Sequence, residues 1–388
     1  MKSRYLLLIV LLVLSCNSTN KDLYQFDPKT ITESKIALSE IADDIFYIPL
    51  DNSFPIGLIY EPQYFINNSI YLSAVNIGIM VFDRNGKFLR KIGSIGRGPG
   101  EYNTYYQFTV DDKSETVYVL DARTINVYSK TGNFLRSISF ADYGNSVDDI
   151  ELYNSKLLLS FRVQNEDAKY DWIVLDTLGN LVMKKKRADL PFSVNWGING
   201  GLYKLENKIY YWNPWRDTIL TILPDLTYEP SFLFSQWENR VPISKITDLS
   251  QFQLFNDPKS LFETKQFIVC DYKYQKRLCI ALIDKKSKKS YITYLESGPA
   301  AIGNNFIGGF FNDLDGGVRF QPDNYYAENN REYIFGLINS FQLKAQVMTN
   351  DFKNSIPKYP EKKKELEQLA NRLKETDNQI LMIIRLNN

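Results

Sequence analysis

The sequence predicts an all-β fold, a six-bladed β-propeller closed by its N-terminal and C-terminal strands, on three observations. A glycine-centred turn recurs at even spacing between apolar strands. Two strands without neighbours lie near the ends of the chain, at 45–50 (IFYIPL) and 379–386 (QILMIIRL). Aromatic residues make up 14% of the chain, with 26 Tyr and 24 Phe, and such side chains suit flat, half-buried strands.

The repeat is clearest at 76–102, where a strand (78–83) meets the turn Arg84-Asn85-Gly86, a second strand follows (87–93), and a glycine-rich bend closes the unit. The turn Asp83-Arg84-Asn85-Gly86 returns as Ser129-Lys130-Thr131-Gly132 and as Asp176-Thr177-Leu178-Gly179. The glycines are 46 and then 47 residues apart (86 to 132, 132 to 179). Glycine supplies the positive φ that a tight hairpin turn needs, and a period of this length with four strands per unit marks propeller blades. The blades are expected at 61–93, 107–139, 148–186, 200–234 and about 260–295. The sixth opens at 309–313 and 318–322, is interrupted by helical spacing over 331–348 and by an amphipathic helix over 357–375, and ends on the strand 379–386. An isolated edge strand invites aggregation, so 379–386 is expected to pair with 45–50 and join the two ends. The expected domain is 32–388.

At the N-terminus Lys2 and Arg4 precede a run of about ten apolar residues, Tyr5–Leu14, too short to span a bilayer as a helix. The run ends in Val13-Leu14-Ser15-Cys16, which resembles the bacterial lipoprotein signal; that resemblance implies that Cys16 becomes the first mature residue and carries lipid. The alternative is a plain secretory signal. Residues 17–31 are expected to be a polar tether.

The GRGPGEY bend at 96–102, the segment DDIFYIPLDN at 43–52 and the C-terminal helix-plus-strand resemble the six-bladed β-propeller lipoproteins abundant in Bacteroidetes, whose blades are similar to NHL-type propellers. The resemblance covers about residues 32–388 and implies a fold and a cell-envelope location.

The chain carries 46 Lys plus Arg against 45 Asp plus Glu and has no histidine. The balance gives no field for nucleic acid, and the lack of imidazole removes Ser-His-Asp and Cys-His systems and His-ligated zinc. Beyond Cys16 there are Cys270 and Cys279, flanking a turn centred on Tyr274-Gln275; a disulfide between them and two buried free thiols are both open. No cofactor is expected. The acidic groups Asp148-Asp149 and Asp313-Leu314-Asp315 invite a calcium reading, but turn chemistry accounts for the second. The basic runs 184–187 and 285–289 read as solvated edge protection.

Strand parity places every long connection (94–106, 163–170, 187–199, 235–259, 296–308 and 323–378) on one face, and long loops on a rigid scaffold carry binding. The candidate ligand-binding residues on that face are Arg97, Glu101, Tyr102, Arg123, Arg162, Trp196, Trp212, Trp215, Arg216, Trp237 and Arg240. Tryptophan can stack on sugar rings or anchor peptides, and arginine receives carboxylates bidentately. The functional expectation is a lipid-anchored binding module for a glycan, peptide or protein. The rivals are a carbohydrate-active enzyme, lyase or hydrolase, working in the central funnel through carboxylates or Tyr with Arg, and a structural subunit of an envelope complex.

Overall fold

The computed structural model describes residues 23–30, 36–103, 107–144, 147–161, 169–188, 200–213, 216–235, 257–297 and 306–387. The fold is all-β, with six sheets and a short helical region. In chain order, β1 (Tyr24–Phe26) and β2 (Ala42–Pro49) precede sheet 1, formed by β3 (Ile59–Ile66), β4 (Ser69–Ala74), β5 (Gly78–Asp83) and β6 (Phe88–Ile92). Sheet 2 holds β7 (Phe108–Val110), β8 (Val117–Asp121), β9 (Thr124–Tyr128) and β10 (Phe134–Ser139). Sheet 3 holds β11 (Val147–Tyr153), β12 (Lys156–Phe161), β13 (Tyr170–Asp176) and β14 (Leu181–Lys186). Sheet 4 holds β15 (Gly201–Leu205), β16 (Lys208–Trp212), β17 (Thr218–Ile222) and β18 (Tyr228–Phe234), with β1 added parallel to β18. Sheet 5 holds β19 (Asp257–Glu263), β20 (Phe267–Tyr274), β21 (Arg277–Asp284), β22 (Ser290–Ser297) and β23 (Phe306–Gly308).

Sheet 6 draws on both ends of the chain. Its order is β24 (Asn324–Glu328), β25 (Arg331–Ile338), β26 (Ile380–Leu386) and then β2, which runs antiparallel to β26 from Ala42–Leu386 to Pro49–Ile380. Between β25 and β26 the chain makes α1 (Ser340–Met348), α2 (Asn350–Asn354) and α3 (Pro360–Arg372), the last begun by a proline at its first position, where the missing N–H costs nothing.

Each sheet packs face to face on the next. Apolar cores lie between sheets 1 and 2, 2 and 3, 3 and 4, 4 and 5, 5 and 6, and between 6 and 1. The first strands follow the same cycle, β3 on β7, β7 on β11, β11 on β15, β15 on β19, β19 on β24 and β24 on β3. Strands buried on both faces read as continuous apolar runs and lose the alternation that marks a one-sided sheet. In β26 six of the seven residues, all but Arg385, are at most 2% exposed.

The seam between sheets 6 and 1 is aromatic. Phe65 stacks on Tyr326 with centroids 4.2 Å apart, and the Arg84 guanidinium lies over both rings while bonding Glu328 at 3.0 Å.

Four expectations need correction. Residues 331–338 are strand and only 340–348 are helix; Ile334 and Phe335 are both buried, so the spacing there suited either period. The segments 309–313 and 318–322 share one bridge, Phe310 with Phe320, and the sheet opens instead at β24. The expected tether contains β1, whose Phe26 is fully buried against Phe234 and Tyr272. The hairpin turn after β20 is centred on Gln275-Lys276, both at positive φ. That pairs Cys270 with Ala281 and Cys279 with Tyr272, so the cysteines sit diagonally rather than opposite, and both are buried free thiols. The signal sequence, Cys16, Arg162, Trp196, Trp215, Trp237 and Arg240 lie outside the described residues.

Candidate functional site

A cavity of about 2060 Å³ is walled by the beginnings of all six first strands. Ile59 and Tyr60 come from β3, Gln107 from the residue before β7, Asp148 and Asp149 from β11, Gly201 and Leu202 from β15, Lys259 and Ser260 from β19, and Gln321 and Asp323 from the approach to β24. The second strands end there, at Trp212 and Leu337, and the helical region between β25 and β26 supplies Gln342, Gln346 and Asn354. First strands begin, second strands end and third strands begin at one end of an antiparallel sheet. The described ends of the sheet-to-sheet connections and the helical excursion therefore reach the cavity, while the tight hairpin turns lie at the opposite end.

Below the cavity the first strands are tied by polar contacts. Tyr64 of β3 donates its hydroxyl to the carbonyl of Phe108 (3.0 Å) and to Glu151 of β11 (3.3 Å), and Thr109 of β7 donates to the other Glu151 oxygen at 3.3 Å. Tyr203 donates to Glu263 at 2.6 Å, and Tyr325 donates to the Lys204 carbonyl at 2.9 Å. Burial pushes the Glu151 carboxyl up to about 7 against the opposing pull of Lys204, Thr109 and Tyr64.

Three carboxyl groups line the cavity in restricted surroundings. Asp149 accepts from the N–H of Ile150 and from the N–H of Leu202 on the next sheet, both at 2.8 Å. A side chain on Gly201 would strike the Asp149 carboxylate, so glycine there is what lets the two sheets approach. Burial, then the Glu151 charge, raises the Asp149 pKa well above the ordinary carboxyl value. Asp323 accepts from the Leu337 N–H at 2.8 Å, and burial pushes it up to about 7. Asp271 of β20 is also pushed up to about 7, first by burial and then by the neighbouring Asp323 charge, and its Oδ1 has no hydrogen-bond partner. A buried carboxyl beside a second one, as Asp271 is beside Asp323, is held toward its protonated form.

Of the described residues expected to bind ligand only Trp212 lines the cavity, which Asp148, Asp149 and Asp313 of the two acidic groups and Cys279 also line. Glu101 closes its own bend, accepting from the Gly98 N–H at 2.7 Å. Tyr102 is buried, accepting from the Ile79 N–H at 3.0 Å and donating to the Ile92 carbonyl at 2.9 Å. Arg97 and Arg123 are exposed outside the cavity. Arg216 grips the fully buried Asp171 bidentately, at 3.1 and 3.2 Å, with Arg187 at 3.7 Å and Lys185 at 3.9 Å from the same carboxylate. The 184–187 run is therefore partly an inward brace, a correction to its reading as solvated edge. Asp315 is also internal, accepting from the Tyr47 hydroxyl (2.9 Å), the Asn312 amide (2.7 Å) and the Gly317 N–H (2.8 Å). Among the described residues no three acidic or sulfur side chains converge as a metal site. The reading from sequence missed Asp271 and Asp323; the one signal for Asp271 was a carboxylate inside the apolar strand FIVCDYKY.

A domain of unknown function (DUF4934) matches residues 23–385. The chain belongs to this family. No curated protein matches the DUF4934 chain in sequence. Its fold is similar to that of a protein of Bacteroides fragilis named as exported, with TM-score 0.63 and 18% identity over 94% of this chain and 99% of that one. It is also similar to a DUF4221 member from Bacteroides vulgatus, with TM-score 0.50 and 10% identity over 89% and 97% of the two chains. The WD40 repeats of RRP9 align at TM-score 0.44 and 9% identity, over 89% and 100%. Among the described residues of the DUF4934 chain, no helix is long and apolar enough to cross a membrane.

Proposed function

We propose that this chain is a closed six-bladed β-propeller with NHL-like blades, anchored in the cell envelope through lipid on Cys16, that binds an oligosaccharide in its axial cavity. The cyclic packing of the first strands and the β2–β26 pairing support the closed ring. The exported Bacteroides protein of similar fold and the sequence around Cys16 support the location.

The cavity carries the functional reading. At about 2060 Å³ it is roughly twice the upper size of a pocket for a drug-like molecule, room enough for an oligomer. Its walls present amide side chains, Gln63, Gln107, Gln321, Asn339, Gln342 and Gln346, beside Trp212 and carboxyl groups. An amide donates and accepts at once, as a sugar hydroxyl does, and an indole face suits the apolar face of a pyranose. The test is a glycan and peptide array with the full chain purified in detergent, repeated with Gln63→Ala and Gln321→Ala. Glycan binding lost in both variants is expected; binding to peptides alone, or glycan binding untouched by both substitutions, refutes the reading.

Asp271 beside Asp323 favours a second reading, that the cavity hydrolyses the glycan it binds. A carboxyl that keeps its proton near neutral pH next to a second carboxyl meets the acid–base requirement of glycoside hydrolysis. New reducing ends released from a bound glycan, and abolished in Asp271→Asn or Asp323→Asn without loss of binding, would establish it. A glycan that remains intact over prolonged incubation would end it.

A further inference from the structure

A second pocket of about 320 Å³ adjoins the cavity on the outer side of sheet 5. We infer that it holds an acidic sugar unit of the ligand, with the anion between Arg277 and Arg319 and the ring against Phe311. This rests on the oligosaccharide reading above and adds the charge of the ligand.

Ile307, Phe311 and Arg319 line both the pocket and the main cavity, so a chain lying in the cavity can place one unit beyond it. The volume is at the lower end of the range for small-molecule sites, the size of one residue rather than a chain. Arg277 at the start of β21 lies 3.5 Å from the centroid of the Tyr294 ring, which supports one face of the guanidinium and leaves its edge for a ligand. Arg319 lies 5.8 Å from the centroid of Phe311 and donates to the Gly309 carbonyl at 3.4 Å. Among the described residues neither arginine is in an ion pair. Among the described lining residues there is one carboxylate, Glu296, against these two cations. The described lining therefore carries a net positive charge, and charge complementarity asks for an anion.

The apolar part of the wall separates a sugar from an inorganic anion. Phe311 is 49% and Ile307 55% exposed, an open apolar surface beside the guanidinium groups. A pyranose bearing an anionic substituent matches both halves: its C–H face covers the ring, and its carboxylate or sulfate takes the guanidinium N–H pairs bidentately.

The test measures binding of the full chain to oligogalacturonides, to their methyl esters, to dextran and dextran sulfate, and to poly-glutamate. The expected result is that methyl esterification weakens oligogalacturonide binding by about tenfold or more, the value of one good charge-assisted pair. Arg277→Gln and Arg319→Gln should each reproduce that loss for the acid form while leaving the ester unchanged, and Arg319→Lys should restore part of it. Arg-dependent selectivity for dextran sulfate over dextran, without selectivity for the uronate, assigns the anion as sulfate. Equal binding of acid, ester and neutral glycans, unmoved by the arginine variants, overturns this inference and leaves the cavity reading intact. Arg-dependent binding of poly-glutamate in place of the glycans overturns it in favour of an acidic peptide. No binding of any glycan removes both readings. Both arginines are exposed, so unchanged thermal unfolding of the variants is the control.

Discussion

Arg216 decides between a ligand contact and a brace, and its replacement by alanine separates the two. The Asp171 carboxylate is fully buried in β13, and Arg216, from the turn before β17, supplies two charge-assisted hydrogen bonds across the gap between sheets 3 and 4. Removing one partner of a buried pair costs about 3–5 kcal/mol when the other is left alone. Here Arg187 and Lys185 remain at 3.7 and 3.9 Å, so Arg216→Ala should cost about 2–3 kcal/mol. Residues 23–387 number 365 (387 − 23 + 1). At about 2.1 cal/mol/K of unfolding entropy per residue this gives roughly 0.8 kcal/mol/K and a fall in Tm of about 3–4 °C. Thermal unfolding followed by circular dichroism reads the shift, and glycan binding at 25 °C reads the site. The expected outcome is a lower Tm with binding unchanged. A double-mutant cycle with Asp171→Asn should return a coupling of about 1 kcal/mol or more. An unchanged Tm together with lost binding would refute the brace and return Arg216 to the ligand.

Three further outcomes follow from the packing. Deleting residues 379–388 removes six buried apolar side chains of β26, each contributing about 1.5–3 kcal/mol; the sum rivals the whole net stability of a domain, about 5–15 kcal/mol. The truncated chain should therefore lack a cooperative melt, and one that melts as hot as the intact protein contradicts the shared sixth sheet. Asp271 and Asp323 titrate near 7 when folded and near 4 when unfolded, so between those values the folded state holds more protons and stability falls as pH rises. Asp323→Asn should make that fall shallower, by up to about 1.4 kcal/mol per pH unit; parallel Tm–pH curves for variant and parent would sink the assignment. Cys270 and Cys279 are buried, and burial raises both thiols, Cys279 to about 11. A maleimide reagent should label them only after denaturation, and prompt labelling of the native protein would contradict their placement.

The repeating turns were legible in the sequence because they are local, and the end-to-end pairing of sheet 6, though far from local, because two apolar runs were left without any other partner. Gly86, Gly132 and Gly179 all sit at positive φ where the hairpins require them, and the apolar runs at 45–50 and 379–386 leave no choice but burial. The helix expected over 331–338 failed for a physical reason. A strand covered by sheets on both sides has no polar face, so hydrophobic period carries no information there. The cysteine register failed by one residue of turn position, which shifts every pair across the hairpin.

The sequence by itself determined the recurring turn between apolar strands, the pairing of the two end strands and the lack of any histidine. Only the tertiary structure decided which polar residues share a space. Asp149, Asp271 and Asp323 are scattered over 175 residues (323 − 149 + 1); along the chain Asp149 is marked only by its neighbour Asp148 and Asp271 only by its apolar strand, and nothing in either says that the three share a space. They meet because six strand beginnings converge at one end of the assembly, and burial there, an effect of packed volume rather than of local pattern, is what changes their protonation. Arg216 and Glu101 look like binding groups in one dimension, and in three they bond the Asp171 carboxylate and the Gly98 N–H, partners that are visible only once the chain has folded around them.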